Sequence, residues 1–150
     1  MLISNKTAYK VDGLFDAALD GCEHSGLHVE IKYCPAGSGR FVSGTYYRQA
    51  PTHPDGGLIR LRINQDNRYP VRVAFKTSDY RTRIDSKGRE VIYQKMRCES
   101  FRTPEHLLLA IFLHEFSHYL DHLEGRNGRF KQTKADKFSL ERLKAMGIVR

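Results

Sequence analysis

Five consecutive residues, His114-Glu115-Phe116-Ser117-His118, carry the residue types for metal-assisted hydrolysis. Two histidines four apart on a helix lie one turn from each other on the same face, close enough for their imidazoles to share one zinc ion. Glu115 stands beside them. From there its carboxylate can take a proton from a metal-bound water and return it to a leaving amine, the role of a general base in peptide hydrolysis.

This chemistry requires a helix, and the flanks supply its signals. Thr103 is a good N-cap, Pro104 suits the first helical position, Glu105 places a negative charge at the N-terminal turn, and Gly125 is a C-terminal stop. The stretch between has no internal glycine or proline, so the helix is expected to run about 30 Å at 1.5 Å per residue. Leu107, Leu108, Leu109, Ile111, Phe112, Leu113, Phe116 and Leu120 leave little polar face, which marks it as a core helix. A lone histidine there would be an ordinary buried one. A buried Glu115 between two histidines is costly unless a cation compensates it.

The third ligand of a single catalytic Zn2+ must come from elsewhere. His122 lies two turns from His114, roughly 12 Å along the axis, too far to share the ion. A second helix, about Thr133 to Met146, sets Asp136 in line with Leu140 and Leu143 on the side expected to face the core, and an acid on an apolar face calls for a partner. Asp136 is therefore expected as the third metal ligand after His114 and His118, or as an acceptor that orients one of them. Glu124, Gln132 and Glu141 are the alternatives. Tyr119, His122 and Tyr93 are candidates by residue type for stabilising an oxyanion, and His106 reads as structural.

The motif helix resembles that of the zincin metallopeptidases, in its gluzincin-like form: positions around the motif are uncharged and free of proline, and Leu120 supplies the apolar residue two after the second histidine. The resemblance covers about the last third of the chain. It implies His114 and His118 as zinc ligands, Glu115 as general base, and a strand preceding the helix as the edge of a cleft where an extended peptide pairs. Gly128-Arg129-Phe130-Lys131 resembles a glycine-then-aromatic element of SprT-like proteases, with Asn127 where a ligating histidine is expected. Ala135-Asp136-Lys137-Phe138 resembles a segment of repressor-cleaving peptidases of phages and bacteria, with Gln132 where their glutamate ligand falls.

From the start of the chain, Val11, Leu14, Phe15, Ala18 and Leu19 stand at helical spacing within Lys6 to Cys22. Val29, Ile31 and Tyr33 then alternate with His28, Glu30 and Lys32, as in a half-buried strand. Further strand-like runs are Arg40 to Arg48, Leu58 to Asn64 and the segment from Val71, and a hairpin turn is expected at Asp85-Ser86-Lys87-Gly88 before Glu90 to Met96. The expected fold is α+β, a zincin-like domain: an N-terminal helix, a twisted sheet of about five mainly antiparallel strands, the motif helix and a closing helix. No repeat or linker divides residues 1–150, which are read as one domain.

The 150 residues have an ordinary globular composition, 40% hydrophobic and 28% charged. No apolar run has the length of a signal peptide or a membrane span, so a cytoplasmic protein without membrane contact is expected. Cys22, Cys34 and Cys98 form no close pair and read as reduced thiols. Arg126, Arg129, Lys131, Lys134 and Lys137 contribute much of the formal net charge of +8. Such a stretch is usually solvated, and any nucleic acid it met would be held weakly and nonspecifically through phosphates. The expected function is thus a zinc-dependent metallopeptidase acting on a protein or peptide, the rival being a non-catalytic module that touches nucleic acid through this basic face.

Overall fold

The computed structural model describes residues 1–50, 52–53, 57–126 and 131–150. Among them are six strands and three helices in the order β1 (Leu2–Asn5), α1 (Asp12–Ala18), β2 (His28–Tyr33), β3 (Val42–Tyr47), β4 (Leu58–Ile63), β5 (Val71–Ile84), β6 (Glu90–Phe101), α2 (Pro104–Leu123) and α3 (Gln132–Ala145). The class is α+β, as the sequence pattern indicates.

The strands divide into two sheets, where the patterning predicts one. Four form a sheet in the order β1-β2-β4-β3, and β5 and β6 form a separate two-stranded ribbon. The expectation of mainly antiparallel pairing fails in the larger sheet, because β1 pairs with β2, and β2 with β4, in parallel; only β3 runs antiparallel, at the edge beside β4. The physical reason is that α1 carries the chain from β1 back to the start of β2, a crossover that makes the two strands parallel. β1, only four residues long, lacks the alternation that would announce a strand.

Period-two patterning sorts the faces of this sheet. Val29, Ile31, Ile59, Leu61 and Ile63 are buried, while Glu30, Lys32, Arg60 and Arg62 between them remain partly exposed. The buried side meets α2, whose Leu107, Leu108, Leu109, Ala110, Phe112, Leu113 and Phe116 have no exposed surface. Phe112 stacks on Phe15 of α1 with ring centroids 4.1 Å apart, joining the N-terminal helix to the same core.

The ends of α2 follow the capping signals: the Thr103 side chain accepts a hydrogen bond from the His106 N–H, Pro104 opens the helix, and Gly125 leaves it at φ 69°. α3 packs on α2 and on β5. The hairpin turn lies where the sequence places it, with the Asp85 carboxylate accepting from the Lys87 and Arg89 N–H groups. No helix among the described residues is long and apolar enough to cross a membrane.

Candidate active site

Helical spacing places His114 and His118 one turn apart on α2, with ring centroids 5.2 Å apart and planes at 74°. α3 brings Asp136 to them from across the helix pair. His114 Nδ1 and Asp136 Oδ1 are 2.6 Å apart, and Asp136 Oδ2 accepts the backbone N–H of Lys76 on β5 at 2.7 Å. The carboxylate therefore ties α2, α3 and the ribbon together at one point. Burial alone would lower the His114 pKa; the hydrogen bond and charge of Asp136, helped by Glu115 and by a hydrogen bond to the Gln132 side chain, outweigh it and raise the value.

About 100° round the helix from His114, Glu115 faces the edge strand β3. Burial raises its pKa against the opposing influences of His114 and of the Tyr46 backbone N–H, which donates to it, and Asp136 adds to the rise. The close approach depends on Gly44: a Cβ there would stand 2.6 Å from Ile111 Cγ2 and 2.8 Å from Glu115 Cγ, both inside contact distance. Further along α2, the Tyr46 hydroxyl lies 2.7 Å from His122 Nδ1, and burial, with Tyr119 nearby, pushes the Tyr46 phenol up to about 12.

The other residues singled out by type fall as follows. Tyr119 packs edge-on against Tyr46, and His122 is Tyr46's partner. Tyr93 lies on the ribbon under the Arg83 guanidinium, 5.4 Å from ring centroid to carbon. Glu124 is exposed and pairs with Arg126, and Glu141 pairs with Lys137 on an exposed face of α3. Gln132 reaches the His114 imidazole. Gly128, Arg129, Phe130 and Asn127 lie outside the described residues.

Gly44, Tyr46 and the Lys76 N–H are not singled out by sequence pattern. For Gly44 a signal exists, since glycine inside a strand pattern marks close approach of another element. The basic stretch is also less available than its composition implies, because Arg126 and Lys134 both converge on the buried Asp121 carboxylate. Burial would raise the Asp121 pKa; Lys134 and Arg126 overcome this and lower it.

Among the described residues, no group of three or more His, Cys, Asp or Glu side chains is placed to hold a metal ion. Two imidazoles come together because i, i+4 spacing guarantees it. A third donor depends on another element, and the nearest acid, Asp136, has one oxygen on His114 and the other on the Lys76 amide. In this arrangement it is an acceptor that orients the imidazole.

Compared with family models, with curated proteins and with solved structures, the chain gives no match. Together with the absent three-donor group, this corrects the resemblance drawn from the motif helix, both to the zincins, gluzincin-like form included, and to the SprT-like and repressor-cleaving groups. What the chain shares with them is a short pattern on one helix.

Proposed function

We propose that the protein is a hydrolase of peptide bonds in which Glu115 acts as general base, working with a zinc ion taken up by His114 and His118. The observation that carries this reading is the seat of Glu115: a half-buried carboxylate with a raised pKa, adjacent to His114 and pressed against edge strand β3 at Gly44. An extended polypeptide pairing with β3 as an added strand would bring its carbonyls past this carboxylate. Glu115 then holds the proton of the attacking water, and Asp136 keeps the His114 ring from turning.

Zinc would supply the acidity of the water. The described residues bring two of the three protein donors such an ion ordinarily takes, so metal content is the first test. The purified chain should carry one zinc, lose it in His118→Ala, and cleave an unfolded protein substrate in a chelator-sensitive manner. A zinc-free chain that remains inactive after zinc is restored would remove this reading. The rival module, touching nucleic acid through the C-terminal basic stretch, gains no support there, since two of its cations are turned onto Asp121.

A further inference from the structure

We propose that the face of the four-stranded sheet turned away from α2 binds single-stranded nucleic acid. This surface lies opposite the Glu115 site and does not depend on the hydrolase reading. Strand register arranges its residues in rows: Leu2, His28, Leu58 and Tyr47; then Ser4, Glu30, Arg60 and Thr45. The third row is cationic. Lys32 pairs with Arg62, which pairs with Ser43, and Lys6, whose N–H donates to the Ile31 carbonyl, continues the β1 register beside Lys32.

Three like charges on adjacent strands are unfavourable neighbours in a sheet. Among the described residues of these rows Glu30 is the one acid, paired with Lys32 at 2.5 Å and with Arg60 at 3.7 Å, so four cations face one carboxylate. Partial burial, then the charges of Lys6, Arg60 and Arg62, lower the pKa of the Lys32 ammonium. A bound polyanion would relieve this repulsion.

The shape of the face fits a single strand. Two shallow hollows flank the cationic row, one of about 430 Å³ bounded by Lys6, Lys32, His28 and His53, the other of about 380 Å³ bounded by Arg40, Arg62 and Ser43. The row spans roughly 10 Å across three strands, enough to follow successive phosphates. A duplex groove admits a helix or a two-stranded ribbon and not the flat of a broad sheet, whereas an unpaired strand can lie across it and rest its bases on exposed rings. Partly exposed rings are present: Tyr47 lies beneath the Arg60 guanidinium, and His28 and His53 lie with centroids 4.0 Å apart and planes tilted at 48°.

The test is fluorescence anisotropy with a short labelled single-stranded DNA of mixed sequence, titrated over about 50 to 200 mM salt. Binding should weaken linearly on a log-log plot. In the double variant Lys32→Gln/Arg62→Gln the slope should fall by roughly 1.4, about 0.7 for each phosphate that is no longer neutralised. Arg62→Lys should keep the wild-type slope, as should Lys131→Gln/Lys137→Gln on the C-terminal stretch, and melting curves confirm that each variant is folded. Absence of binding at the lowest salt, an unchanged slope in the sheet-face double variant, or equal affinity for a duplex of the same sequence would overturn the proposal.

Discussion

His114 on α2 and Asp136 on α3 are joined by a hydrogen bond of 2.6 Å between Nδ1 and Oδ1, while the other Asp136 oxygen accepts the Lys76 amide. Asp136→Ala should therefore remove an orienting partner and orphan a backbone donor, costing about 1–3 kcal/mol of stability. Asp136→Asn keeps an acceptor and should fold more nearly as wild type, yet turn over substrate roughly 10- to 100-fold more slowly because the ring no longer faces a carboxylate. Denaturant melts beside a cleavage assay separate the two effects; equal activity in Asp136→Asn and wild type would show that the carboxylate charge beside His114 contributes nothing to turnover.

Glu115→Gln tests the base. The raised pKa means that the charged form is disfavoured by its surroundings, so at neutral pH the neutral amide should be at least as stable as the carboxylate. Hydrolysis should fall by about 10²- to 10⁴-fold. A variant that melts higher and cleaves normally would assign Glu115 no part in the chemistry.

Gly44→Ala probes the approach of β3 to Glu115. The new methyl would meet Ile111 and Glu115 side-chain atoms at 2.6 and 2.8 Å, so these side chains must shift or strand and helix must separate. A destabilisation of about 1–3 kcal/mol is expected, with activity reduced beyond what unfolding explains. Retained stability would mean that the side chains or the strand move away freely.

Acid stability should depend on Asp121, buried beneath Lys134 and Arg126. Its pKa is lowered below the ordinary 3.8, so its contribution is complete above that value and is lost as pH falls through the lower folded-state value. Asp121→Asn should destabilise by about 1–3 kcal/mol at neutral pH and progressively less below about pH 4, since the wild type then loses the same charge. Urea melts at several pH values read this; a difference independent of pH would deny the ion pairs their role.

Much of what is local is legible from residues alone. Thr103, Pro104 and Gly125 mark the bounds of α2 because capping depends on a few neighbouring groups, and i, i+4 spacing places His114 and His118 on one face whatever surrounds the helix. Alternation in β2 and β4 separates buried Val29, Ile31, Ile59, Leu61 and Ile63 from outward Glu30, Lys32, Arg60 and Arg62 for a similar reason: the pleat repeats every two residues. The pairing of short β1, the parallel order of the large sheet and the separation of the ribbon depend on interactions between distant segments, for which no local period exists. The same holds at the site. Sequence puts Asp136 on the inward side of α3, but only packing turns its two oxygens to His114 and Lys76, presses Glu115 against Gly44, and brings the two motif imidazoles no third metal donor among the described residues.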